Sequence, residues 1–241
     1  MADIVDVNTL FGPLPAASAD LSVDGLLELM QRHNVQAACT LSTLGMVLDP
    51  TVGNAATRAA CAEQTQLLPV ATLNPTMFFG DTTALASLPE LGFRLLRFFP
   101  AEQGWQINYA PFHWLMRGVE ETGLPVMVNI ANPGDISELS RALASYTGAV
   151  ILSRVDRYTL AEAVVAMLSL PNWYVEISRL LAPGCMRLAV DCVGPDRILF
   201  GTGAPARPVA SALHTLQYAE LDEAAVAGIL GANARRVLNL A

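Results

Sequence analysis

The sequence predicts an α/β protein, a (β/α)8 TIM barrel forming a single domain over residues 1–241. Three observations predict it. Short apolar runs of strand character alternate with longer helical patterns from end to end. Eight such pairs fill 241 residues at about 30 residues each, the size at which parallel strands linked by helices close into a barrel. An open doubly wound sheet would carry a Gly-x-Gly-x-x-Gly turn after its first strand, and none is present.

The elements follow in order. Residues 4–9 form the first strand, and a Leu-rich amphipathic pattern over 22–33 forms the first helix. Residues 37–42 are the second strand, with a helix over 54–66. The third, 68–73, stops at the turn signal Asn74-Pro75, and a short helix follows near 82–88. The fourth, 93–99, stops at Pro100, and residues 110–122 return as a helix. The remaining pairs are 125–130 with 136–145, 149–155 with 159–169, and 173–177 with 184–192. The last strand, 197–202, precedes two helices, 208–218 and 222–238.

Composition narrows the function. Charged residues are 15% of the chain, against about 25% in an average globular protein. A chain that is 53% hydrophobic with so little charge is expected to cover part of its surface with another subunit, as a homo-oligomer or a hetero-oligomer with a related barrel. No apolar run approaches the roughly 20 residues that span a bilayer, so no membrane association is expected. The N-terminus carries acids where a signal peptide needs basic residues, which points to the cytoplasm. All 14 basic residues are arginine. The absence of lysine excludes Schiff-base chemistry, a Walker-type phosphate loop and a carbamylated-lysine metal bridge. A net charge of -8 without a basic run excludes nucleic acid as a partner. Cys39, Cys61, Cys185 and Cys192 lack Cys-x-x-Cys spacing and read as reduced, buried thiols, the last two on one helix face.

Several strand ends carry a further pattern. Residues 4–12, Ile-Val-Asp-Val-Asn-Thr-Leu-Phe-Gly, resemble the opening strand Asp-x-His-x-His-x-Gly of the amidohydrolase superfamily, in its amidohydrolase-2 group of metal-dependent hydrolases and decarboxylases. Residues 71–75, 91–100, 125–129 and 151–154 are similar to its third to sixth strand ends. Arg197-Ile198-Leu199-Phe200-Gly201-Thr202-Gly203-Ala204-Pro205 resembles its last strand, Arg-Ile-Leu-Phe-Gly-Ser-Asp-x-Pro, and residues 231–238 resemble its closing helix. The resemblance covers almost the whole chain and implies the barrel fold. It also implies where a metal would be held, and there this chain has Asn8, Leu10, Asn129, Arg154 and Gly203. A hydrolytic zinc site needs about three N, O or S side-chain ligands, so no metal site and no cofactor is expected.

Strand alternation in the register of the resemblance turns Asp6, Asn8 and Leu10 inward from the first strand and Arg97 from the fourth. Asn129 and Arg154 join them, with Glu176 and Ser178 from the seventh. Two outcomes stand open for these groups. They form a buried network in which Arg97 or Arg154 pairs with Glu176, or they form a pocket for a small anionic molecule. The pocket set is Asn8, Asn74, Arg97, Asn129, Arg154 and Ser178, with Glu176 or Asp6 as general base and Arg154 stabilising negative charge. His33 falls at a helix end, His214 lies within a helix, and His113 opens the helix after the fourth strand, in a packing or capping role. Cys185 and the turn at 132–135 are weaker candidates.

Function therefore lies between two classes. The chain is a metal-independent hydrolase, lactonase or decarboxylase-type protein acting on a small carboxylate. Alternatively it is a non-catalytic pseudoenzyme that supports or regulates an oligomer.

Overall fold

A computed structural model describes residues 3–14 and 21–240. Met1 and Ala2, part of the N-terminal run read above, lie outside them. The order is β1 (Ile4–Phe11), α1 (Val23–Arg32), β2 (Val35–Ser42), α2 (Thr43–Val47), α3 (Pro50–Ala62), β3 (Leu67–Thr72), β4 (Leu95–Phe98), α4 (Ala110–Glu121), β5 (Val126–Asn129), α5 (Asp135–Ala142), β6 (Val150–Ser153), α6 (Leu160–Ser169), β7 (Trp173–Glu176), α7 (Cys185–Val193), β8 (Ile198–Leu199), α8 (Val209–Gln217), α9 (Glu223–Ala227) and α10 (Asn233–Val237). The eight strands are parallel and adjacent in chain order. β1 and the chain after β8 close the ring: Val7 N–H donates to Phe200 O at 2.9 Å and Gly203 N–H to Asn8 O at 2.7 Å. The fold is a single-domain (β/α)8 barrel.

Alternation along the strands separates two cores. Leu96, Phe98, Val126, Val128, Val150, Leu152, Trp173 and Val175 pack outward into the cluster shared with the helices. Leu95, Met127, Ile151 and Leu199, with Tyr174 against them, belong to a second cluster inside the barrel. Two residues further along the same strands, the inward positions become Arg97, Asn129, Ser153 and Glu176, all buried. The barrel thus has an apolar floor and a buried polar layer at the C-terminal strand ends, the end where barrels of this kind carry their chemistry.

The structure departs from the sequence expectations in several places, each with a local cause. A helix, α2, follows β2 directly, in a stretch where the periodicity predicts no element; Ser42 caps it, and Thr43 Oγ1 donates to Pro13 O at 2.7 Å. The next helix starts at Pro50 rather than 54, because Asp49 accepts from the N–H groups of Thr51 and Val52. The segment near 82–88 is a 3-10 helix. The final helix is interrupted by a π-helical turn, Gly228–Ala232, which lets the Ile229 carbonyl accept from Phe200 N–H at 3.0 Å. The thiols are a correction: Cys39 is buried, Cys61 and Cys185 are half-buried, and Cys192 is exposed. The buried stripe of α7 runs through Met186 and Ala189, which leaves Cys192 off the core face.

No helix among the described residues is long and apolar enough to cross a membrane. The outer surface does carry apolar side chains, including Val165 and Leu168 on α6 and Leu188 on α7.

The helices α2 and α3 touch through bare backbone. A Cβ on Gly53 would lie 2.1 Å from Gly45 N and 2.2 Å from Gly45 Cα. Gly53→Ala should lower stability in urea denaturation by about 2–3 kcal/mol, the range of an overpacked core. An unshifted midpoint would show that α2 is free to move away.

Candidate functional site

The polar layer is built around one amide. Asn8 Oδ1 accepts from Arg97 Nη1 at 2.7 Å, while its Nδ2 lies 3.2 Å from Glu176 Oε1 and 3.4 Å from the Ser153 and Ser178 hydroxyls. With a guanidinium on one side and a carboxylate on the other, only one amide orientation makes both bonds. Asn8 therefore links two buried opposite charges that do not touch.

Each charge is held from several strands. Glu176, the last residue of β7, is fully buried. Its Oε1 accepts from Ser153 Oγ at 2.8 Å, Ser178 Oγ at 2.9 Å and Arg154 N–H at 3.0 Å, and its Oε2 accepts from Ser178 N–H at 2.7 Å. Gly201 makes room for it, since a Cβ there would come within 2.5 Å of Oε2. Arg97 donates Nε and Nη2 to Asn129 Oδ1 at 3.1 and 3.0 Å, and its guanidinium lies 4.8 Å from the Phe99 ring centre. Burial pushes its pKa down to about 10, with Glu176 and Glu102 opposing, so it stays charged at neutral pH. Three of its five N–H groups are committed, one on each nitrogen.

Asp6 sits on the neighbouring side, 1% exposed. Thr202 donates to it twice, from Oγ1 at 2.5 Å and from N–H at 3.1 Å, and Asn8 N–H donates at 2.9 Å. Burial nonetheless pushes its carboxyl up to about 7, with the nearby Glu176 charge adding to the rise. It is a carboxyl group poised to exchange a proton near neutrality.

Above this layer lies a half-buried rim. Arg154 follows β6 in the left-handed region, with φ of 68°, and its guanidinium pairs with Glu102 from the loop after β4. Glu102 also accepts from Asn129 Nδ2 at 3.4 Å, which ties rim to floor.

The structure brings together Asp6, Asn8, Arg97, Asn129, Glu176 and Ser178, as the sequence register expected. It corrects three points. The inward residue at the end of β6 is Ser153, and Arg154 stands one position beyond it, because the strand ends there and the backbone turns. Neither arginine pairs directly with Glu176; Arg97 is held by amides and Arg154 by Glu102. Asn74 does not join the network, since its Oδ1 accepts from Thr76 N–H at 3.0 Å and Thr76 Oγ1 at 2.9 Å in its own turn. His113 and His214 are exposed, and His33 ends α1. Leu10 is half-buried against the inner core. Sequence reasoning missed Ser153, Glu102 and Thr202. Strand parity at 151 would have found Ser153, and Thr202 occupies the Ser of the last-strand pattern; Glu102 carries no such signal.

The residues do not fit a divalent metal. Among the described residues no three His, Cys, Asp or Glu side chains gather as a metal site. The Asn8 and Asn129 oxygens, at two of the positions the resemblance gives to metal ligands, are turned onto the Arg97 guanidinium, and a second cation there would meet that charge.

The sequence pattern of the amidohydrolase family matches residues 54–240. No curated protein matches the chain by sequence. Among solved structures, 2,6-dihydroxybenzoate decarboxylase in complex with 2,6-dihydroxybenzoate superposes with a TM-score of 0.81 at 16% identity, covering 100% of both chains. The same-named decarboxylase from Rhizobium gives 0.77 at 18% identity, covering 100% of this chain and 99% of that one. A dihydroxybenzoic acid decarboxylase from Polaromonas, solved with manganese and the inhibitor 2-nitroresorcinol, gives 0.78 at 15% identity over 100% and 98% of the two chains. These likenesses are of fold.

Two outcomes follow from the layer. Asn129→Leu strips Arg97 of two bonds in a buried site and should cost about 3 kcal/mol of stability by chemical denaturation. Asp6 titrates near 7 when folded and near 3.9 when unfolded, so the folded chain holds the extra proton across that window. Its contribution therefore weakens stability as pH rises from about 4 to 7, with a slope of at most about 1.4 kcal/mol per pH unit. In Asp6→Asn that component of the stability–pH curve should vanish; an unchanged curve would place the titration elsewhere.

Proposed function

The chain belongs to the amidohydrolase family, and from that premise we propose that it acts on a small carboxylate without a bound metal, with decarboxylation as the favoured reaction. The observation that carries this is the placement of Arg97. A guanidinium stands on the amide oxygens at two positions the resemblance gives to metal ligands, so a fixed positive charge lies buried at the strand ends where the resemblance implies a cation. Its two uncommitted N–H groups supply donors for an oxyanion in a site where burial strengthens them.

The residues divide the work as follows. Arg154 at the rim orients the substrate carboxylate through its fork. Arg97 stabilises the phenolate oxygen of an electron-rich ring. Asp6 gives its proton to the ring carbon that bears the carboxylate, using a pair of ring π electrons. The carbon–carboxylate bond then breaks, its electrons restore the ring, carbon dioxide leaves, and Asp6 recovers a proton from water. Glu176, already accepting bonds at both oxygens, serves as the anchor that aligns Asn8 rather than as the base. Asn8, Asn129 and Ser178 act as positioning residues. The decarboxylases named among the structural relatives support an aromatic carboxylate as the first substrate class to examine. Hydrolysis and lactone opening would use the same oxyanion contact.

One observation favours a second reading. Asp6, Asn8, Arg97, Asn129, Glu176 and Ser178 are all at most 4% exposed and hydrogen-bonded within the chain, as in a filled, non-catalytic barrel. The exposed Val165 and Leu168 on α6 would then serve self-association or docking on a related barrel.

The decisive assay is release of carbon dioxide from 2,6-dihydroxybenzoate and related hydroxybenzoates, in chelator-treated buffer. Turnover is expected, with Asp6→Asn lowering kcat about 100-fold or more through loss of the acid. Arg97→Gln, checked for folding by its melting curve, should lower kcat by about the same factor. Carboxylate binding without turnover of any compound would establish the non-catalytic reading. Turnover only with added manganese would overturn the metal-free mechanism.

A further inference from the structure

One contact at the rim stands in the way of a substrate on Arg154. Arg154 Nη1 donates to Glu102 Oε1, and Asn129 Nδ2 donates to the same oxygen at 3.4 Å. Asn129 cannot face otherwise: its Oδ1 is committed to two N–H groups of Arg97, which turns the Nδ2 end toward Glu102. A carboxylate of the chain thus already stands on an arginine fork and an amide donor. These are groups that the carboxylate reading gives to the substrate.

The hold on Glu102 is partial. Among the described residues its Oε2 accepts no hydrogen bond, and Arg154 gives it one nitrogen rather than a bidentate pair. The Arg154 and Glu102 side chains are 33% and 24% exposed, and an ion pair that open to water is weak. The backbone beneath Glu102 is fixed by contrast. Residue 102 sits in a tight turn where Gln103 N–H donates to Phe99 O and Trp105 N–H to Pro100 O, both at 2.9 Å. Phe99 and Trp105 anchor its two ends in the core, with the Trp105 ring 5.0 Å from that of Phe112. Gly104 supplies the positive φ, 75°, that closes the turn. Exchange at this contact takes a swing of the Glu102 side chain into water, with no movement of the loop.

We propose that Glu102 is the resident occupant of the carboxylate position at Arg154 and Asn129, which a substrate carboxylate must displace. This rests on the carboxylate reading above and assigns Glu102 a part in the selectivity of that site. An incoming carboxylate returns to Arg154 the counter-charge that Glu102 takes away, and it offers two oxygens where Glu102 uses one. A neutral molecule of the same shape returns no charge and leaves Glu102 in place. Glu102 therefore lowers affinity for every anion while favouring those that grip the fork with both oxygens.

The test is calorimetric binding of benzoate to the unmodified chain, Glu102→Gln, Arg154→Gln and the double variant, each checked for folding by its melting curve. Glu102→Gln should tighten benzoate binding about fivefold, the scale of one partly exposed ion pair. The gain should persist at about 0.5 M salt, where attraction through space is screened. In the Arg154→Gln background the same substitution should give no gain. A gain that survives there would be a general effect of removing negative charge and would overturn the proposal. Unchanged or weaker binding in Glu102→Gln would also overturn it, and would make Glu102 a positioning residue for Arg154. Either result leaves the carboxylate reading intact. Absence of benzoate binding to both the unmodified chain and Glu102→Gln would overturn that reading and the proposal together.

Discussion

The burial of one positive charge organises the inner end of this barrel. A guanidinium taken out of water is costly unless its donors are met and a counter-charge lies near. Arg97 has both, but at one remove: two asparagine oxygens satisfy it directly, and the carboxylate that balances it stands behind Asn8. The amide works as a spacer that passes polarity from Arg97 to Glu176 without letting them collapse into a contact pair. Ser153, Ser178 and the Arg154 N–H then complete Glu176, and Gly201 stays small because the carboxylate needs its space. Five strands contribute to this arrangement, so the site and the closure of the barrel depend on each other.

The fold was legible because its signals are periodic. Alternation at Leu95-Leu96-Arg97-Phe98 and Val126-Met127-Val128-Asn129 shows both faces of a strand, and repeating it eight times leaves few topologies. The inward polar set was legible for the same reason. What escaped depends on where a strand stops. Placing the family's strand end at 154, where β6 ends at Ser153, exchanged Ser153 for Arg154, and a single step of register changes which side chain faces the interior. Glu102 escaped because it sits in a loop, where no period reports direction. The exposure of Cys192 was missed because helical spacing groups residues by face without saying which face is covered.

Floor and rim differ in kind. The floor is tied down: its charges are buried and each has partners within the fold, which suits rigid positioning of donors. Above it, the rim is half-buried, with Glu102 pairing Arg154.

The one-way orientation of Asn8 bears on how this chain relates to metal-bearing barrels of its family. Putting histidine at position 8 or 129 would remove an acceptor from Arg97 while supplying a single ligand, and the trapped guanidinium would repel the ion that ligand was meant to attract. Replacing Arg97 first would leave Glu176 without its nearest balancing charge. Each single step is therefore worse than either end point, and the two kinds of site are separated by a valley that only concerted substitutions cross. The stability of the barrel itself therefore resists stepwise change at positions 8, 97 and 129.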